Sequence, residues 1–184
     1  MAVRRSGSNI VLGVTGSIAA YKSCDLIRRL QEAGYSVAVV MTKEAEAFIS
    51  PLTLETLSGQ RVSREMFKGA ADSWEIEHIG LAEQADLVLI APATAHILAK
   101  LANGLADDLI CSTALASLAP KLIAPAMNTN MYGHPVTQAN IKRLKEIGYH
   151  FIGPTEGRLA CGTTGLGHLA DVMTIVEAVN AILK

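Results

Sequence analysis

What restricts the fold most is a set of short apolar runs that carry no charge at all, spaced by segments of helical pattern. Ile10–Val14, Val37–Met41, Leu87–Ala91 and Leu122–Ala124 consist of Val, Ile, Leu, one Met and a few small residues. A strand with one wet face alternates apolar and polar side chains, and these runs do not, so both faces must be covered. Between them lie helical patterns: Ser17 to about Ala33, closed by Gly34; a short helix capped by Thr42 and running through Phe48; one opened by Ser50-Pro51 and ending near Leu57; His78–Ala85; Ala95–Ala102; Asp107–Ser117; and Pro135–Ile147. Tyr149–Ile152 reads as a last strand and Asp171–Leu183 as a closing helix. Strands alternating with helices give an α/β chain: a single-domain, doubly wound parallel sheet with helices on both faces. Residues 1–8 read as an N-terminal extension and 9–184 as the domain.

Composition agrees. The 184 residues are 50% hydrophobic and 18% charged, which excludes a disordered polyelectrolyte, and aromatics at 4% leave an aliphatic core. Sixteen basic and seventeen acidic residues, a net charge of −1, argue against general nucleic-acid or membrane-surface binding. The longest uncharged stretch, Leu122 to Ile141, holds three Asn, two Pro and a Gly and does not read as a membrane span. Arg4 and Arg5 ahead of Ile10–Val14 mimic a signal peptide only weakly, because Thr15-Gly16-Ser17 breaks the apolar run. Cys24, Cys111 and Cys161 are scattered and odd in number, and the five histidines lack metal spacing. The expectation is a cytoplasmic protein without a metal site or disulfides.

In doubly wound sheets, ligands sit beyond the carboxyl ends of the strands, so the loops there carry the candidates. Gly16-Ser17-Ile18 follows the first strand, where amides and a helix start favour an anion; the same residues suit an ordinary capped turn equally well. The spacing is neither GxGxxG nor a Walker loop, and Met41-Thr42-Lys43 offers no acid for a ribose, so a single terminal phosphate fits better than a dinucleotide. Pro92-Ala93-Thr94-Ala95 is a second small-residue helix start at the same edge. Pro125-Ala126-Met127-Asn128-Thr129-Asn130-Met131 reads as an irregular loop, neither helix nor turn, whose Asn128 suits a carboxylate or amide ligand. Residues 153–170, with five glycines, Pro154 and Cys161, have no clear regular structure, and loops of this length are usually functional or mobile.

These segments resemble the homo-oligomeric flavin-containing cysteine decarboxylases over essentially the whole chain from Asn9. The resemblance rests on Gly16-Ser17-Ile18-Ala19-Ala20-Tyr21-Lys22, Met41-Thr42, His78-Ile79-x-Leu81-Ala82, Ala91-Pro92-Ala93-Thr94-Ala95, Pro125-Ala126-Met127-Asn128-x-x-Met131 and Leu159-Ala160-Cys161-Gly162. It implies a Rossmann- or flavodoxin-like fold and flavin mononucleotide (FMN), held by Gly16, Ser17, Ile18, Thr42, Phe48, Ala93, Thr94, Ala95, His96 and Ala126. It implies that His78 is the active-site base and that Cys161 is the proton donor on a substrate-covering flap. Asn128, Met131, Arg158 and Ala160 are then the substrate contacts. Where the family has Pro-Ala-Ser-Ala-Asn-Thr, this chain has Thr94, His96 and Ile97 at the last variable places. The first exchange keeps the hydroxyl; the other two change the hydrogen-bonding groups.

The implied reaction is FMN-dependent decarboxylation of 4'-phospho-N-pantothenoylcysteine in coenzyme A biosynthesis. The cysteine thiol is oxidised to a thioaldehyde, carbon dioxide leaves, and the enethiol is reduced again. Decarboxylation of a peptidyl cysteine during lantibiotic maturation is the nearest alternative, and a flavin prenyltransferase is further off. A non-catalytic flavin-binding or electron-transfer module is a different class; carriers are usually strongly acidic, unlike this chain. The resemblance also implies sites between subunits of a homo-oligomer built from trimers, up to a dodecamer. Since many bacterial relatives are fused to a synthetase, the expectation here is a stand-alone decarboxylase or that domain alone.

Overall fold

A computed structural model describes residues 7–66, 76–158, 162 and 164–184. Five strands, β1 (Asn9–Val14), β2 (Ser36–Met41), β3 (Leu87–Ala93), β4 (Lys121–Pro125) and β5 (His150–Phe151), form one sheet in the order β2-β1-β3-β4-β5. Every pairing in it is parallel, as the charge-free runs require. This is the flavodoxin-like doubly wound order, which reverses direction between β1 and β3 and opens a crevice at their carboxyl ends.

The pleat divides the apolar runs between two cores. Ile10, Leu12 and Val14 share one face with Val37, Val39, Met41, Leu87 and Leu89. Over that face lie α1 (Ser23–Glu32), α2 (Pro51–Ser58) and α8 (Val172–Ile182), through Leu26, Ile27, Leu30, Leu54, Ile175 and Val179. Val11, Val40, Val88, Ile90 and Ile123 face the other way, under α4 (Ala95–Ala102), α5 (Leu109–Ala116) and α7 (Pro135–Glu146). The strands had to be apolar on both sides because neither face meets water. Beyond α5 packs α3 (Glu77–Gln84). Among the described residues no helix is long and apolar enough to cross a membrane, and no group of three His, Cys, Asp or Glu could hold a metal ion.

Three expectations are corrected. Residues 153–170 are not structureless: Thr155–Arg158 (β6) and Thr164–His168 (β7) pair as an antiparallel two-stranded sheet. Glycine lowers strand propensity, so the glycine-rich sequence hid it. The segment after Pro125 is not an irregular loop, since Asn128 caps a short helix, α6 (Thr129–Gly133). The pattern from Ser17 is not one α-helix either; Ile18–Lys22 is a 3₁₀ turn and α1 begins at Ser23.

Candidate functional site

The carboxyl ends of β1, β3 and β4 are tied together by polar contacts. Thr15 Oγ1, buried just past β1, donates to the Pro92 carbonyl at 2.7 Å and accepts from the Thr94 amide at 3.2 Å. The Ala126 amide donates to the Ala93 carbonyl at 3.0 Å. The three loops that follow these strands therefore converge at one edge. Thr94 then caps α4, its Oγ1 accepting from the Ile97 amide at 3.3 Å. Asn128 Oδ1 caps α6, accepting from the Asn130 amide at 2.8 Å and the Met131 amide at 3.4 Å. These are the side chains that start helices at Asn, Ser and Thr generally.

A cavity of about 420 Å³ opens among these loops, lined by Gly16, Ser17, Ile18, Thr94, Ala95, Ala126, Asn128 and Met131, together with Tyr21 and Lys22. Its far wall is β7, through Gly167 and His168. None of its described lining residues is an Asp or Glu, and the Lys22 ammonium makes no hydrogen bond or ion pair among the described residues. Such a lining favours an anionic ligand. A larger cavity of about 940 Å³ shares Gly16, Thr94 and Met131 with the first and extends past Thr42 and His96 to Lys100.

At the Gly16-Ser17-Ile18 turn, the Ser17 amide is spent on the Thr15 carbonyl at 2.8 Å, and Ser17 Oγ accepts from Ala19 at 3.3 Å. The Gly16 and Ile18 amides have no partner among the described residues. With no α-helix starting here, any pull on an anion comes from those individual N–H groups rather than from an aligned helix. Gly16 also lets the loop after β2 lie against it, since a Cβ would come within 2.5 Å of the Glu44 Cβ. On that loop Thr42 was expected to cap with its hydroxyl. It occupies the cap position without that bond, and its Oγ1 is buried with no partner among the described residues. A buried hydroxyl with nothing to bond is costly unless a ligand completes it.

Lys100 anchors the far end of the larger cavity, 2.8 Å from Asp107 Oδ1 and 2.7 Å from Asp108 Oδ2. Burial alone would lower the Lys100 ammonium, but hydrogen bonds to both carboxylates outweigh it and hold Lys100 protonated well above its ordinary range. Asp108 also caps α5. Burial pushes the Cys111 thiol far up, aided by the Asp108 carboxylate, and burial likewise raises Cys24. Neither is a poised nucleophile.

The remaining candidates are dispersed. His78 sits in the first turn of α3, beside Glu77, which accepts a hydrogen bond from Ser63. Ser63 in turn bridges to Val40 of β2. The imidazole Nδ1 is buried with no partner among the described residues, yet His78 lines neither cavity. Phe48 is 46% exposed and also lines neither, and Ala93 is wholly buried in β3. Arg158 ends β6, while Ala160 and Cys161 lie outside the described residues. Sequence reasoning did not single out the wall formed by Gly167 and His168. The signal was present in Thr164-Gly165-Leu166-Gly167-His168, where glycine at alternate places leaves one strand face bare for close docking.

Residues 2–184 match the Flavoprotein family. The chain is 51% identical over 173 residues to the probable phosphopantothenoylcysteine decarboxylase of Streptococcus mutans, covering 93% of this chain and 96% of that protein. It is 49% identical over 169 residues to the coenzyme A biosynthesis bifunctional protein CoaBC of Bacillus subtilis; the match takes in 92% of this chain and 41% of that longer protein. Among solved structures it is similar to a PPC decarboxylase mutant complexed with pantothenoylaminoethenethiol, with a TM-score of 0.83, 32% identity, and 95% and 97% of the two chains covered. It is also similar to the FMN-dependent cysteine decarboxylase SpaF, with a TM-score of 0.83, 31% identity, and coverage of 96% and 95%.

Proposed function

The chain belongs to the Flavoprotein family, and on that footing we propose that it binds FMN and decarboxylates phosphopantothenoylcysteine. The observation that carries the reading is the cavity bounded by the Gly16 turn, the Thr94 helix start and the Asn128 cap, whose described lining residues include no acid and one strong charge, Lys22. Both anionic ends of such a substrate, and a phosphorylated cofactor, suit that lining.

The residues present fit the cofactor. The unengaged Gly16 and Ile18 amides and the orphaned Thr42 hydroxyl are donors for its phosphate and polar chain. Ala95 and Ala126, with Thr94, leave room for a flat ring to approach backbone. When bound, the flavin supplies a reversible two-electron acceptor, so that the cysteine side chain is oxidised before carbon dioxide leaves and reduced afterwards.

The chain's own residues do the rest. Asn128, whose Oδ1 caps α6 at the cavity wall, is the contact for the substrate carboxylate, and Met131 packs beside it. Lys22 offsets the substrate's negative charge. Cys161 returns a proton when the enethiol is reduced, with Arg158 and Ala160 as neighbouring substrate contacts. His78 is the base that takes a proton from the substrate. That His78 lines neither of the two cavities described above supports its delivery by a second copy, in a homo-oligomer built from trimers.

The test is purified protein reconstituted with FMN and offered phosphopantothenoylcysteine or a peptide ending in cysteine. Carbon dioxide and phosphopantetheine from the first, with little from the second, is the expected result; release from the peptide alone would transfer the assignment to peptidyl cysteine. For the shared site, inactive His78→Asn and Asn128→Asp proteins mixed after mild dissociation should regain part of the activity. Failure to complement, with trimers present by light scattering, would return His78 to its own chain.

A further inference from the structure

Three side-chain oxygens of the smaller cavity are already engaged. Ser17 Oγ, Thr94 Oγ1 and Asn128 Oδ1 each accept a backbone amide at a helix start. His168 on β7 is held differently. Its Nδ1 lies 3.0 Å from the Leu169 carbonyl, and a carbonyl only accepts, so Nδ1 carries the hydrogen. In the neutral ring Nε2 is then the acceptor, and it has no partner among the described residues.

The ring is also locked in place. Across the hairpin it lies on Gly157, where a Cβ would come within 3.2 Å of the His168 Cγ. The strand beneath it is docked on the Asn128 turn. The Met127 amide donates to the Gly167 carbonyl at 3.0 Å, and a Cβ on Gly165 would come within 2.5 Å of Thr129 Oγ1. An imidazole of fixed tautomer therefore stands on the wall beside the residue assigned to the substrate carboxylate.

We propose that His168 is a further substrate-binding residue, whose Nε2 accepts a hydrogen bond from the amide N–H of an N-acylated cysteine. This rests on the decarboxylase reading above. In such a substrate the carboxylate only accepts, and the thiol must face the cofactor. The amide nitrogen is bonded to the same carbon as the carboxylate, so it lies within reach of the strand docked on the Asn128 turn. An imidazole acceptor there favours acylated cysteine over its oxygen-ester counterpart, whose ester oxygen has no hydrogen to give.

The test compares phosphopantothenoylcysteine with its oxygen-ester analogue, using FMN-loaded wild-type, His168→Leu and His168→Gln proteins at pH 8. Wild-type protein should prefer the amide by about tenfold in KM, the size of one hydrogen bond, with kcat little changed. His168→Leu should lose that preference by raising KM for the amide alone. His168→Gln, whose side-chain oxygen can stand where Nε2 stood, should keep most of it. Equal losses on amide and ester would make His168 a support for the hairpin and overturn the proposal. So would a penalty that disappears with dephosphorylated substrate, because the ring would then be reading the phosphate. If His168→Leu does not fold, the wild-type and His168→Gln preferences decide, and absence of an amide preference in wild type overturns it. Wild-type protein that turns over neither compound defeats the decarboxylase reading itself, whereas normal turnover without an amide preference defeats only this inference.

Discussion

Replacing Gly167 by alanine tests whether docking of the β6–β7 hairpin organises the site. Gly167 has φ +152°, a region that side chains rarely adopt, and a Cβ there would lie 2.2 Å from the Met127 carbonyl oxygen. Contact distances require the strand to retreat by roughly 1 Å. The retreat sacrifices the 3.0 Å hydrogen bond from the Met127 amide to the Gly167 carbonyl. That bond is worth about 1 kcal/mol and the backbone strain about 1–3 kcal/mol, a total of about 2–4 kcal/mol. A two-stranded hairpin is not stable by itself, so the cost should appear as local undocking rather than global unfolding. Hydrogen exchange is the direct assay. Protection of the Met127 amide should fall by roughly 30- to 1,000-fold, the equilibrium equivalent of that energy. Because the strand carries His168 and rests on the Asn128 turn, kcat/KM of the FMN-loaded enzyme should drop by about tenfold or more. Gly59→Ala is the control: φ is also positive, at +71°, but nothing lies within 4 Å of the added methyl. It should cost about 1 kcal/mol at the end of α2 and leave kcat/KM alone. Wild-type protection at Met127 in Gly167→Ala, with kcat/KM unchanged, would refute the docking argument.

Asn128→Asp keeps an acceptor for the α6 cap, so urea denaturation should shift by no more than about 0.5 kcal/mol, while a carboxylate facing the substrate carboxylate should abolish turnover. An active Asn128→Asp enzyme would contradict the assigned role. Thr42→Val removes a buried hydroxyl that has no partner among the described residues. Apo-protein stability should hold or rise, whereas FMN affinity measured by flavin fluorescence should weaken by about five- to tenfold; loss of stability with unchanged affinity would refute this. The hydrogen bond from Lys100 holds the exposed Asp107 carboxyl below its ordinary value of 3.8. A lowered carboxyl contributes stability that is present above that value and lost as pH falls through the folded-state value, so Asp107→Asn should flatten the acid limb of a stability–pH profile below about 3.8 and leave neutral pH unaffected. The same acid limb in both proteins would mean that the pair adds nothing measurable.

Sequence alone determined the layers of this protein. Runs such as Ile10–Val14 and Val37–Met41 lack polar alternation, and that property of local sequence already demands a parallel sheet covered on both sides. It also located the Gly16, Thr94 and Asn128 segments, because loops at the carboxyl ends of parallel strands are where such folds bind ligands. Glycine and Asn are read less surely from sequence, since each serves several backbone geometries. Residues 153–170 looked irregular because their glycines disfavour a strand, yet Gly165 and Gly167 are bare so that β7 can lie against Thr129 and Met127. Only tertiary structure could decide that, along with the strand order β2-β1-β3-β4-β5, the orphaned Thr42 hydroxyl and the His168 tautomer. Each depends on which atoms arrive from distant parts of the chain. Periodicity reports which faces are buried, but not what they are buried against.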